Sequence, residues 1–186
     1  GNRYGRWRSG VGLMKVLGKE LTRNDWLRGL WAVPLVLAVK LASVGITERY
    51  GIMLERTISG CLPWSVYLWD KTEAIGQLER YDLVLFPAKN MQPVLADGET
   101  VGKLVAGLPG DRVTVKNGNL YINGRFLGDV RYVASKWNKP LTAWDTEYRL
   151  GKDEVFVYGT EKHSYDSRYW GPYPVSALVG RLRVLF

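Results

Sequence analysis

From Gly29 to Ile46 the chain runs Gly-Leu-Trp-Ala-Val-Pro-Leu-Val-Leu-Ala-Val-Lys-Leu-Ala-Ser-Val-Gly-Ile, with Lys40 its one charge. About 20 apolar residues span a bilayer, so this run and its flanks suffice. A cleavable secretory signal would use 29–39 as its apolar core, but Lys40 then falls where the cleavage region should be small and neutral. The run therefore reads as an uncleaved anchor over 29–46, with Lys40 extending its ammonium toward the interface. Before it stand Arg3, Arg6, Arg8, Lys15, Lys19, Arg23 and Arg28 against Glu20 and Asp25. That is +5 of the chain's +8, which leaves a nearly neutral remainder. The positive-inside rule puts residues 1–28 in the cytoplasm and everything after residue 47 outside it. The basic block is thus read as a topology signal with membrane lipid as its partner, and no nucleic-acid role is expected. Val11, Leu13, Met14, Val16, Leu17 and Leu21 recur at near-helical spacing among lysines, which predicts a short amphipathic helix on the membrane surface. Thr22 followed by Asp25 reads as the capping pair that opens the spanning helix.

Past residue 60 the period changes from helical to alternating. Asp82–Phe86, Arg112–Lys116, Leu120–Ile122, Glu154–Tyr158 and Leu178–Leu185 are short runs of strand formers. Asn117-Gly118 and Asn123-Gly124, six residues apart and flanked by such runs, predict consecutive tight hairpins. Residues 128–152 are polar, Trp-bearing and without period, and are read as a long loop or insertion. The fold class is mostly β, with 47–186 as one exported domain.

Little catalytic chemistry is open to this composition. One Cys among 186 residues excludes an intramolecular disulfide, and one Cys with one His cannot build a structural zinc site. No metal or cofactor is expected. Cys61, in Ser59-Gly-Cys-Leu-Pro63, is an unpaired thiol on the exported side of the anchor. Lys103 opens Lys103-Leu-Val-Ala-Gly-Leu-Pro-Gly-Asp111 on a predicted strand. Ser164-Tyr-Asp-Ser-Arg168, followed by Trp170-Gly171, is a turn dense in hydrogen-bonding groups.

Taken in order, these three blocks resemble the type I signal peptidases, membrane-anchored all-β proteases with a Ser/Lys dyad. The Lys103 block matches that family's K-x-x-x-G-L-P-G-D, whose lysine is the general base. Ser164–Gly171 matches its S-x-D-S-R-x-W-G, and Cys61 stands where the serine nucleophile is expected. The spacing Cys61-x-Pro63 with Val66-Tyr67 close by is similar to the conjugal-transfer (TraF-type) branch, which matures pilin subunits. Two departures stand out: the nucleophile position holds Cys, and the family's G-D-N-R turn is replaced by Gly159-Thr-Glu-Lys162, one residue shorter.

The resemblance implies an endopeptidase working by acyl transfer at a bacterial inner membrane, with its catalytic domain periplasmic. Cys61 would be the nucleophile and Lys103 its base, a duty that needs the neutral amine. Ser164 would orient that amine, and Asp166 with Arg168 would hold the loop. The Ser59 hydroxyl and the Cys61 backbone N–H would form the oxyanion hole, where one donor is worth about 3 kcal/mol. A pilin or other exported precursor peptide would be the substrate, cleaved or closed into a ring. The apolar stretch Leu62–Trp69 could pair with an extended substrate strand and dip Trp64 or Trp69 into the membrane surface, and core packing explains those tryptophans equally well. Three alternatives stay open: a general signal peptidase, a non-catalytic component of a conjugation or secretion apparatus, and a Cys/His peptidase using His163.

Overall fold

A computed structural model of the chain describes residues 15–16, 19–20, 23–54 and 61–186. The chain divides into two units, 1–46 and 47–186. In the first, β1 (Lys15–Val16) pairs antiparallel with β2 (Lys19–Glu20). This corrects the amphipathic helix expected here. Gly10, Gly12 and Gly18 interrupt the segment, and each glycine inside a helix costs about 1 kcal/mol relative to alanine. Helix α1 (Arg23–Arg49) follows, with Pro34 inside it. Its stretch Leu30–Arg49, with mean hydropathy 1.9, is long and apolar enough to cross a membrane, and none of it is buried by the chain. Trp31 is 78% exposed and Val36 66% among the described residues, an apolar surface of the kind that suits a bilayer core. The predicted capping residue Thr22 lies outside the described residues.

The second unit is all strands and short turns: β3 (Tyr50–Leu54), β4 (Val66–Asp70), β5 (Leu83–Pro87), β6 (Thr100–Gly107), β7 (Arg112–Lys116), β8 (Asn119–Ile122), β9 (Arg125–Asp129), α2 (Arg131–Lys136), β10 (Thr146–Arg149), β11 (Glu154–Tyr158), α3 (Ser167–Trp170), β12 (Tyr173–Pro174), β13 (Gly180–Arg181) and β14 (Arg183–Val184). They form sheets in the orders β12-β11-β6-β5-β13, β10-β7-β8-β9 and β14-β4-β3. The two predicted hairpins are present. Asn117 and Gly118, then Asn123 and Gly124, all take positive φ, the conformation a two-residue turn between twisted strands requires. Val113, Val115, Leu120 and Ile122 put their buried faces into one core with Phe156 and Leu150. Phe86, Val84, Val105, Val155, Val157 and Tyr173 make the other large one.

Two expectations need correcting. Residues 128–152 are not one irregular loop: they hold α2, a 3-10 turn at Leu141–Trp144, and β10, which extends the β7 sheet with Tyr148 opposite Val113. A six-residue helix and a 3-10 turn are too short to show a helical period, and β10 (Thr-Glu-Tyr-Arg) has one aromatic residue and no apolar alternation, so the pattern alone could not find them. Nor can β4 pair with a substrate strand. Its two edges are occupied by β3 and β14, and the Ser65 N–H bonds to the Phe186 carbonyl at 2.9 Å.

The turn after β6 is pinned by Asp111. Its carboxylate accepts hydrogen bonds from the Leu108 N–H, Arg80 Nη2 and Asn123 Nδ2, each at 2.7 Å. Burial by itself would raise this carboxyl's pKa, but these donors outweigh it and hold the group below its ordinary value. A depressed native pKa stabilises the fold above the unfolded value of about 3.9, and that contribution fades as pH falls through the native value. Asp111→Asn should therefore cost about 1–3 kcal/mol in denaturant unfolding at pH 7, and the gap from the parent should narrow below about pH 4. A pH-independent gap would contradict this.

Candidate active site

Strand β6 sits at the centre of its sheet, but its two neighbours cover different lengths of it. β5 pairs with Thr100–Leu104, whereas β11 pairs only with Leu104–Gly107 and ends at Tyr158, opposite Leu104. Lys103 is thus the first β6 residue beyond the reach of β11. The chain turns away at Gly159, and the loop that follows returns Ser164 into the space beside Lys103. The Lys103 side chain is fully buried and its Nζ donates to Ser164 Oγ at 3.0 Å. Among the described residues no carboxylate lies within salt-bridge reach of it. An ammonium removed from water without a counter-ion is costly, so this is an unusual place for a lysine unless chemistry needs it.

Ser164 Oγ in turn donates to Asp166 Oδ2 at 2.9 Å. Asp166, fully buried, also accepts from the Gly159 N–H at 2.9 Å and from Arg168 through Nε at 2.8 Å and Nη2 at 2.7 Å. Arg168 spends its remaining donor capacity on carbonyls of Asp129, Gly159 and Ser164. Its guanidinium lies 4.6 Å from the Tyr158 ring centre and 5.4 Å from that of Tyr169. Burial works against the Arg168 charge, but the adjoining Asp166 carboxylate prevails and raises its pKa above the ordinary arginine value. Lys103, Ser164, Asp166 and Arg168, separated by up to 65 positions in the chain, therefore form one hydrogen-bonded series.

Cys61 is brought to the same loop from the far side. Its carbonyl accepts the Glu161 N–H at 3.3 Å. Gly159 lies between the two: a Cβ there would stand 2.1 Å from Ser164 Oγ and 2.8 Å from the Cys61 carbonyl oxygen. Only glycine lets Cys61 and Ser164 come this close. Cys61 is half-buried and lines a cleft of about 510 Å³, bounded also by Thr100, Val101 and Gly102 of β6, by Val94 and Glu99 of the β5–β6 loop, and by Tyr132, Lys136, His163 and Tyr165. His163 joins Cys61 in this cleft, with its ring edge-on to Tyr132 at 6.4 Å. Ser59 lies outside the described residues.

Sequence reasoning named Gly159 only as the start of an altered turn, and it missed the α2 wall. The demand on Gly159 is close approach and not positive φ, which turn chemistry does not reveal. The α2 wall is held by an aromatic cluster: Trp137, Trp144, Tyr165 and Tyr169, with ring centres 5.2 to 6.5 Å apart, clamps 130–145 onto the loop that bears Ser164. The tryptophans at 137 and 144 were the visible trace of it.

The family model described as signal peptidase, peptidase S26 matches residues 24–186, and the chain belongs to that family. A probable signal peptidase I-2 of Synechocystis sp. is 35% identical over 109 residues, covering 58% of this chain and 48% of that protein. Signal peptidase I of Bacillus caldolyticus is 32% identical over 119 residues, covering 58% and 61%. The conjugal transfer protein TraF of Agrobacterium tumefaciens is 31% identical over 84 residues, covering 45% and 47%. The chain spans about half to three-fifths of the length of the first two relatives. A crystal structure of a signal peptidase I from Enterococcus faecalis V583 superposes on 61% of this chain and all of its own, at 26% identity and a TM-score of 0.37.

The geometry at Gly159 makes a direct prediction. Gly159→Ala forces Ser164 or the Cys61 backbone to move, and overpacking of this kind costs about 1–3 kcal/mol. Urea unfolding should show that loss, whereas an unchanged midpoint would mean the loop is slacker than these distances state.

Proposed function

We propose that this chain is a membrane-anchored endopeptidase that acts by acyl transfer, with Cys61 as nucleophile and Lys103 as general base. The observation that carries the reading is the fully buried Lys103, bonded through Ser164 to Asp166 and reached by the loop whose Gly159 lets Ser164 approach the Cys61 carbonyl. A neutral Lys103 amine that gives one N–H to Ser164 keeps its lone pair for the thiol proton. The Cys61 sulfur attacks the scissile carbonyl, and the oxyanion is assigned to the Cys61 backbone N–H and the Ser59 hydroxyl. Collapse expels the amine, which takes the proton back from Lys103 and leaves a thioester. Ser164 is the positioning residue for Lys103, and the Asp166–Arg168 pair fixes Ser164.

By the positive-inside argument, the anchor over residues 29–46 holds the catalytic domain on the periplasmic face of a bacterial inner membrane, beside the lipid. The substrate is an exported precursor peptide. The likeness to a conjugal transfer protein supports a pilin precursor. The likeness to signal peptidase I from several bacteria favours a second reading, removal of export signals in general.

Lys103→Arg retains the charge but gives up no proton at working pH. It should lower turnover of a precursor by about 100-fold or more, as general-base losses do, and Cys61→Ala should abolish turnover in a chain that still folds. Normal processing by either variant removes the corresponding assignment, and loss in Cys61→Ala with normal activity in a His163→Ala chain separates this mechanism from a Cys/His one.

The release step generates a separate prediction. Amines attack a thioester in preference to water more readily than they attack an oxygen ester, and an amine held beside it acts at very high effective concentration. A pilin precursor should therefore leave as a ring joined through its own N-terminus. Intact mass would show a product one water lighter than the linear peptide. A linear product with a free carboxylate contradicts ring closure and leaves the cleavage reading in place.

A further inference from the structure

The residues around Cys61 also carry information about which peptides the cleft accepts. Helix α2 turns Val133 and Ala134 inward, where both are buried. Tyr132 and Lys136, four positions apart and so on one helix face, line the cleft. Tyr132 is fixed from two sides, by the Lys162 ammonium 5.4 Å from its ring centre and by the His163 ring. One cation, Lys136, therefore lines the cleft, and a second, the exposed Lys162, lies against the Tyr132 ring that lines it. Neither Lys136 nor Lys162 has a carboxylate partner among the described residues. The ion pairs among the described residues of β3–β14 are made by arginines, as Arg112 with Glu147 and Arg183 with Glu73. The α2 wall is braced by the aromatic cluster described above, so Lys136 is presented from a rigid support, while Lys162 belongs to the loop after β11.

We propose that Lys136 and Lys162, arrayed on Tyr132, select extended peptides that carry an acidic side chain within a few residues of the scissile bond. The aliphatic stems and the Tyr132 ring cover the peptide's apolar part, while the ammonium groups meet its carboxylate. Glu99 enters the same cleft from the β5–β6 loop and disfavours a second acidic side chain near itself, so the preference depends on position along the peptide. The inference rests on the peptidase reading only in taking a peptide as the ligand.

Its test uses the chain's one thiol as a reporter and needs no turnover. The full chain in detergent micelles is treated with N-ethylmaleimide, and alkylation of Cys61 is followed by intact mass. Two alanine-rich dodecapeptides serve as probes, identical except that one carries three glutamates and the other three lysines. At low salt the glutamate peptide should slow alkylation about fivefold at a concentration where the lysine peptide has almost no effect, and 0.5 M salt should erase the difference, since the Debye length is then only about 4 Å. Lys136→Glu should reverse the preference, and Lys162→Glu, which lies outside the helix, checks that result should α2 itself be disturbed. Equal protection by both peptides, protection by neither at millimolar concentration, or an unchanged preference in both variants would overturn the proposal. A chain that shows the preference yet cleaves no precursor would leave this inference standing and remove the peptidase reading alone.

Discussion

A buried ion pair between Asp166 and Arg168 organises the loop that carries Ser164 to Lys103. Both side chains are almost wholly removed from water, at 0% and 2% exposure, so the pair gains little net stability over an apolar replacement of similar volume. Its value is positional. The two carboxylate oxygens take five donors from Gly159, Ser164 and Arg168, counting the Arg168 backbone N–H. Arg168 in turn ties down three carbonyls on two segments. With so many bonds converging, the loop after β11 has one conformation. Removing either partner strands the other charge in the interior, at a cost of about 3–5 kcal/mol.

The sheet supplies the other half of the arrangement. Because β11 ends one residue short of Lys103, a polar group from a loop, and not a strand, meets that lysine. The same interruption leaves Thr100–Gly102 beside the cleft, where they line it together with Cys61. Gly159, directly after β11, lets the Cys61 segment and the Ser164 loop approach within the thickness of a single Cβ. The geometry of the candidate site follows from where one strand stops and from which residue has no side chain.

The local pattern made some of this readable and hid the rest. The Asn-Gly pairs at 117 and 123 encode their turns through φ alone, so both hairpins and the strand Arg112–Lys116 stand where the sequence places them. The apolar run from Gly29 is likewise a local property. Lys103, Ser164, Asp166 and Arg168 were singled out through motif order, and hydrogen bonds join them in one series. What depended on distant pairing was out of reach. Nothing near Val66–Asp70 says that β3 and the chain's last residues will cover both of its edges. Nothing in 128–152 says that Trp137 will close on Tyr165. At residues 11–21 apolar spacing pointed to a helix, but it gave too little weight to the glycines among those residues.

The central claim is that Cys61 carries the acyl group. Mixing the full chain with a pilin precursor, quenching in acid within a single turnover and measuring intact mass tests it most directly. The account predicts a covalent adduct of the acyl fragment, mapped by peptide sequencing to Cys61 and released by neutral hydroxylamine as a thioester is. Precursor cleavage with no adduct on Cys61, or an adduct that withstands hydroxylamine, would contradict it.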